Sequence, residues 1–217
     1  MDFLNSQQLT YQDGYLHAFR EPGDYVYRVS FLPPGYESSE SGRTYTIHVH
    51  EGDNSAGQGR QQDIVLRWDA SLHRYEPDPE SVTIDTHDFV IWRVETSTPA
   101  APPYSIRGEG SSGAVFDSRA LGQHDVFTHL FMAHGEYRYQ VNGRAGGVVI
   151  VRDHRELPYE AHVEQASKAP LIHIVDGQPT PDRTEVYAGQ TVVWFIEKGE
   201  RVTITTSRQS QKNSHGS

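Results

Sequence analysis

Histidine is the residue type with the most evident capacity for chemistry in this sequence, because the chain contains twelve histidines and no cysteine. His48 and His50 stand two positions apart in the stretch TIHVH, and alternate residues of a β-strand face the same side of a sheet. The two imidazoles could share a zinc or non-blue copper ion, with His17 as a further ligand. Sites for these metals need three or four converging ligands, so the alternative is that the pair are ordinary surface residues.

The second possible chemistry is nucleophilic catalysis, with Ser118, which follows Asp117, as the nucleophile and His124 as its base. Catalysis by such a pair requires an orienting acid and an oxyanion hole, and no motif in the sequence indicates them. The absence of cysteine excludes cysteine nucleophiles, thiolate metal sites and disulfides. No residue is therefore assigned a catalytic role, and the sequence leans against an enzyme.

The charge balance limits the class of partner. The chain has 29 acidic and 19 basic residues, a net charge of −10 that repels phosphate backbones, so we expect no nucleic-acid partner.

The first ten residues lack the basic start and apolar run of a signal peptide, and no apolar stretch approaches the length of a membrane span. As written, the sequence predicts a cytoplasmic protein without a membrane partner.

The hydrophobic pattern indicates an all-β protein. Short runs alternate apolar and polar residues and are bounded by Gly, Pro, Asp or Ser, at 24–29, 45–50, 88–94, 136–141, 147–152, 170–175 and 191–196. Many short strands separated by turns predict β-sandwiches. We interpret 51–62 and 154–169 as linkers and 208–217 as a tail.

Two patterns each occur twice. The pattern H-x-F-x-x-x-G-[D/E]-Y-x-Y-x-V, which we name the closing half, begins at His17 and again at His129. The pattern P-x-x-x-x-[I/V]-x-x-x-x-x-V-x-W, the opening half, begins at Pro79 and again at Pro181. The chain order is closing half (11–50), opening half (63–110), closing half (114–153) and opening half (170–206).

This order predicts two domains. The middle two halves would form one intact sandwich at 63–153. A half-sandwich alone leaves an apolar face and unpaired strand edges in water, so 1–50 and 170–207 should combine into a second, circularly permuted sandwich into which the first is inserted. An exchange of the permuted halves between two chains would satisfy the same edges and give a homodimer.

The stretches VTIDTHDFVIW, PPYSIRG, AVFDSRAL and VFTHLFMAHGEYRYQVNGRAGGVVIV, in that order within 82–152, resemble the cupredoxins, the plastocyanin-like family. The similarity covers nearly all of 63–153, and a weaker, permuted version covers 11–50 and 170–206. The resemblance implies two Greek-key β-sandwiches, and members of this family are usually exported electron carriers with type 1 copper.

The same resemblance shows that the copper ligands are missing. It places the family's first histidine at Tyr104 and its cysteine at Val141, and in the permuted domain Val29 takes the cysteine position. A type 1 site needs a thiolate and two imidazoles. We therefore expect no copper cofactor and no electron transfer.

The loop at 30–44 stands where the family has a short copper-binding loop. It is long and acidic, and it carries Phe31, Leu32 and Tyr36. Aromatic and apolar residues on a loop held by a rigid sandwich commonly form a contact surface, so these three are candidate partner-binding residues. The alternative is a surface loop without a partner.

Three functions remain open. The favoured one is a copper-free tandem cupredoxin-like binding or scaffolding protein with no cofactor, whose partner is an unidentified protein or small molecule. The second is a metal-binding protein that uses His17, His48 and His50. The third is an enzyme with a pocket between the two domains, where clefts commonly hold ligands.

Overall fold

The structure is a computed structural model that describes residues 4–31, 39–40, 42–52, 59–95, 101–153 and 168–206. Over these residues the chain forms eighteen β-strands and no helix, which confirms the predicted all-β class. None of the described segments is therefore a helix long and apolar enough to cross a membrane.

The strands are short and follow one another closely, as the alternating pattern predicts. They are β1 (Asp13–Ala18), β2 (Gly23–Phe31), β3 (Ser39–Glu40), β4 (Tyr45–His50), β5 (Gln61–Asp69), β6 (Arg74–Asp78), β7 (Ser81–Asp85), β8 (Phe89–Val94), β9 (Tyr104–Gly110), β10 (Val115–Asp117), β11 (Asp125–Phe131), β12 (Gly135–Val141), β13 (Arg144–Arg152), β14 (Leu171–Val175), β15 (Gln178–Thr180), β16 (Arg183–Tyr187), β17 (Gln190–Lys198) and β18 (Ile204–Thr206).

The strands form three mixed sheets. The eight-stranded sheet has the order β15-β14-β17-β11-β1-β8-β5-β6, the six-stranded sheet has the order β10-β9-β2-β4-β7 with β3 beside β2, and the four-stranded sheet has the order β16-β13-β12-β18. Most neighbours are antiparallel, but β4 with β7, β5 with β8, β13 with β16 and β14 with β17 are parallel. The eight-stranded sheet is continuous because β1 and β11 pair antiparallel at its centre.

Two tryptophans mark where the sheets pack face to face. Trp92 on β8 contacts Tyr27 and Phe116 of the six-stranded sheet, with ring centroids 5.5 and 5.4 Å apart. Trp194 on β17 contacts Tyr139 of the four-stranded sheet at 5.7 Å. We name β1 to β10 the first sandwich and β11 to β18 the second sandwich, each with one end of the eight-stranded sheet as a layer. The repeated Trp and Tyr positions of the sequence therefore occupy equivalent places in two aromatic clusters.

The strand pairing groups the repeated halves differently from the sequence prediction. That prediction combined 1–50 with 170–207 and kept 63–153 as an intact sandwich. In the structure β2 pairs with β9 and β4 pairs with β7, so the first closing half lies with the opening half that directly follows it. Likewise β12 pairs with β18 and β13 with β16. Either grouping satisfies the open strand edges, and pairing consecutive halves closes shorter loops, which costs less entropy.

A short segment closes each sandwich and then crosses to the other. The backbone N–H of Ser118 donates to the carbonyl of Ile106, and the Ile106 N–H donates to Ser118 Oγ, at 2.9 and 3.0 Å. Ser6, separated from Ser118 by the same offset that separates His17 from His129, makes the same two bonds to Ile204 at 2.9 and 3.0 Å. The segment around Ser6, which leads into β1 of the first sandwich, is therefore bonded to the second sandwich. The segment around Ser118, which leads into β11 of the second sandwich, is bonded to the first.

Candidate functional site

The positions that the cupredoxin resemblance assigns to copper ligands in the first sandwich lie within its core. Tyr104 on β9 is the register partner of Phe31, and both it and Val29 are buried. The Tyr104 ring lies 5.3 Å from that of Tyr75, and its hydroxyl donates to the backbone carbonyl of Asp13 at 3.4 Å. Burial, together with the charge of Asp13, raises the pKa of Tyr104 well above its usual value. These side chains form closed packing and present no copper ligand.

In the second sandwich, Val141, which the resemblance places at the family's cysteine position, lines an open groove of about 400 Å³. Val141 pairs with Ile204 rather than with a residue near Tyr104. Arg144, Asp176 and Glu200 are the charged residues around this groove. These residues do not form a group of three or more His, Cys, Asp or Glu that could hold a metal ion.

The predicted contact residues of the 30–44 loop are only partly described. Phe31 is half-buried and packs on Trp68, with ring centroids 5.3 Å apart, and Trp68 in turn packs on Tyr75 at 5.1 Å. Leu32 and Tyr36 lie outside the described residues. Phe31 therefore contributes to an aromatic cluster at the edge of the core, and its role in contacting a partner stays a prediction.

The three histidines predicted as metal ligands lie on two different sheets. His48 and His50 share the outer face of the six-stranded sheet through β4, and His48 Nδ1 lies 2.6 Å from Asp24 Oδ1. His17 lies on β1 of the eight-stranded sheet, where its Nδ1 is 2.6 Å from Asp125 Oδ1. In the described ranges no group of three or more His, Cys, Asp or Glu is arranged to hold a metal ion. The structure does not bring His17 to the other two.

His17 instead belongs to a polar network at the junction of the two sandwiches. Besides His17, the buried Asp125 carboxylate accepts hydrogen bonds from the Tyr15 hydroxyl at 2.8 Å and from the Gly122 N–H at 2.6 Å. Burial and the adjacent Asp125 carboxylate raise the pKa of Tyr15 well above its usual value. The tyrosine therefore stays neutral and acts as a donor.

A corresponding histidine–aspartate pair occurs with the sandwiches exchanged, without a tyrosine donor because Phe127 takes the place of Tyr15. His129 Nδ1 lies 2.7 Å from Asp13 Oδ1, and Asp13 Oδ2 accepts from the N–H and the hydroxyl of Thr10, both at 2.7 Å. The sequence analysis missed the role of these aspartates, although D-x-x-x-H stands at the start of both closing halves, at Asp13 and at Asp125. That repeat was the available signal.

The Ser118 and His124 pair is not arranged for nucleophilic catalysis. Ser118 is fully buried, and its hydroxyl oxygen accepts the bond from Ile106 described above. Burial, followed by the positive charge of Arg20 and His17, lowers the pKa of His124. Both residues act in the turn that connects the sandwiches.

A groove of about 360 Å³ on the outer face of the six-stranded sheet is the second concave surface. We name it the arginine groove, and the residues that line it include Val26, Arg28, Ser30, Arg107, Glu109 and Arg119. Strand alternation places these side chains outside, because the neighbouring residues of β2 face inward and are buried.

The arginines of this groove lie close together by strand register. Arg28 on β2 stands directly opposite Arg107 on β9, and Arg107 stands opposite Asp117 on β10. The Asp117 carboxylate accepts hydrogen bonds from Arg119 Nε at 3.0 Å and from its Nη2 at 2.9 Å. Three guanidinium groups therefore converge on one surface of an acidic protein.

The second sandwich has the same backbone arrangement without these charges. Gln140 occupies the repeat position of Arg28, and its register partner on β18 is Thr205 in place of Arg107. The position equivalent to Arg119 is Gln7. All three arginines are thus replaced by neutral residues in the other copy of the repeat.

Comparisons of the sequence with protein-family models, with curated proteins and with solved structures found no match.

Proposed function

We propose that the protein is a copper-free pair of cupredoxin-like Greek-key sandwiches that binds a ligand and does not transfer electrons. The observation that carries this proposal is the packing of Tyr104 and Val29, which take the histidine and cysteine positions of the family in the first sandwich and are both buried. A phenol with a raised pKa and an aliphatic side chain cannot replace an imidazole and a thiolate as copper ligands.

The cupredoxin assignment is supported by the order of the motifs and by the equivalent placement of the repeated residues. Trp92 and Trp194 occupy matching positions in two aromatic clusters, as do Tyr27 and Tyr139. Proteins of one architecture perform many functions, so the binding role depends on the surface and not on the fold. The arginine groove is the surface that we assign to ligand binding.

Titration of the purified, untagged protein with copper(II) tests the copper-free assignment. We expect no intense visible charge-transfer band and no copper retained after dialysis, because no thiolate is available to produce that band. One copper ion retained per chain beside Tyr104 and Val29 in the first sandwich would contradict the proposal. Retention that His48→Ala/His50→Ala abolishes would instead support the metal-binding alternative.

A further inference from the structure

We infer that the arginine groove binds an oxyanion, the carboxylate or phosphate group of a small organic ligand. This inference rests on the proposed binding function and names the ligand class of its site.

The first argument is the juxtaposition of like charges. Arg28 and Arg107 are directly opposite on antiparallel strands, a position at which side chains are neighbours and equal charges destabilise the sheet. On its other side Arg107 stands opposite Asp117 of β10. An anion held between the two arginines would make a charge-assisted contact with each of them.

The second argument is the internal comparison that the repeat supplies. Gln140 and Thr205 occupy the equivalent pair of positions in the second sandwich, on strands with the same pairing. The sandwich therefore forms with a neutral pair at this place, and its architecture does not require arginine there. A pair of arginines that the fold does not require is best explained by a ligand.

The third argument is the arrangement of donors. Two hydrogen bonds to Asp117 hold the Arg119 guanidinium in one orientation, which fixes the position of this positive charge in the groove. Ser30, which is 8% exposed, adds a hydroxyl to the same groove. The site therefore offers several donors of the type that oxyanions bind.

The remaining residues limit the charge and shape of the ligand. Glu109 lines the groove next to the arginine pair, and Asp117 already neutralises part of Arg119. These carboxylates repel a polyanion, so a single carboxylate or phosphate group fits the charge balance. Val26 is 45% exposed and stands opposite Glu109, where it can contact an apolar part of the ligand.

Titration calorimetry of the full chain at low ionic strength tests the inference. The titrants are phenyl phosphate and benzoate, and benzylammonium is the cationic control. We expect saturable binding of phenyl phosphate, of benzoate or of both, and no binding of benzylammonium. Tighter binding of phenyl phosphate would identify a phosphate ligand, and tighter binding of benzoate a carboxylate ligand. Binding of neither anion would overturn the inference and would leave the copper-free assignment intact.

The variant Arg28→Gln/Arg107→Thr places the neutral pair of the second sandwich in the groove. We expect it to bind either anion at least about tenfold more weakly, because two charge-assisted contacts are lost. Arg93→Gln/Arg152→Gln removes the same total charge from exposed positions elsewhere and should bind as the wild type does. Equal weakening in both variants would show a nonspecific charge effect and overturn the inference.

Urea unfolding without added anion separates a binding role from a structural one. The Arg28→Gln/Arg107→Thr variant should unfold at about the wild-type urea concentration, because the second sandwich forms with the same neutral pair at these positions. Marked destabilisation of this variant, and of Arg107→Thr alone, would show that the arginines serve the fold and would overturn the inference.

Discussion

His129 donates from Nδ1 to the carboxylate of Asp13 across 2.7 Å, although 116 residues separate the two in the sequence. The equivalent pair of the repeat, His17 and Asp125, has a similar separation of 2.6 Å. Each sandwich thus supplies the acceptor for the histidine of the other, at the point where β1 and β11 pair. The junction is held by side-chain hydrogen bonds as well as by the strand ladder.

The two histidines should differ in their contribution to stability, since His129 is fully buried and the His17 side chain is 17% exposed. We expect His129→Ala to lower the free energy of unfolding by roughly 2–4 kcal/mol, because it leaves the Asp13 carboxylate buried without this donor. His17→Ala should cost less, because the His17 side chain is already partly exposed and Asp125 keeps the hydrogen bonds from the Tyr15 hydroxyl and the Gly122 N–H. Urea unfolding measures both, with the exposed His50→Ala as the control. Equal losses in the two variants would contradict this account.

The crossing of the segments predicts that Ser6→Ala weakens the second sandwich and not the first. Ser6 Oγ accepts the N–H of Ile204, so its removal leaves a buried donor unpaired, at a cost of about 1–2 kcal/mol. Amide hydrogen exchange should accelerate at Ile204. The matched variant Ser118→Ala should accelerate exchange at Ile106 instead. Acceleration at Ile106 in the Ser6 variant would show that the segments do not cross.

Stability should fall at alkaline pH because of the buried tyrosines. Burial raises the pKa of Tyr139 to about 12 and that of Tyr15, Tyr27 and Tyr104 as well. A raised folded-state pKa contributes stability that is complete below the unfolded value of about 10 and is lost as the pH rises beyond it. Tyrosinate absorbance of these residues should therefore appear together with loss of the near-ultraviolet circular dichroism. Ionisation of all tyrosines near pH 10 in a still folded protein would contradict this.

Protonation of His124 should make the protein less stable as the pH falls. Its pKa is lowered by burial and by nearby positive charge, so its contribution is complete above the unfolded pKa of about 6.5 and is lost as the pH falls through the lower folded value. His124 has a positive φ of 71°, which asparagine also tolerates, so His124→Asn removes the imidazole without straining the backbone. The urea midpoint of this variant should change less between about pH 7 and pH 5 than that of the wild type. An unchanged slope would exclude this role for His124.

The sequence was sufficient to predict the all-β class and the repeated halves, because strand alternation and the spacing of the Trp and Tyr residues are local properties. It did not determine which halves combine, since both groupings bury the same faces. The crossing at Ser118 falls inside a predicted closing half, where the sequence pattern gives no indication of a change of partner.

The arginine groove was invisible for a related reason. Arg28 and Arg107 are far apart in the chain, and only the register of β2 against β9 places them opposite each other. Register between distant strands depends on the assembled sheets and not on local pattern. The contrast with Gln140 and Thr205 was present in the repeat, but it gains meaning only once the strand pairs are known.

The central claim, that one sandwich carries an oxyanion site which its repeat lacks, is tested most directly by amide chemical-shift changes during titration with phenyl phosphate. The account predicts saturable shifts confined to the arginine groove, at Arg28, Ser30, Arg107 and Arg119, with no change at Gln140 or Thr205. Shifts of equal size in both sandwiches, or no saturable shift at the arginines, would contradict it.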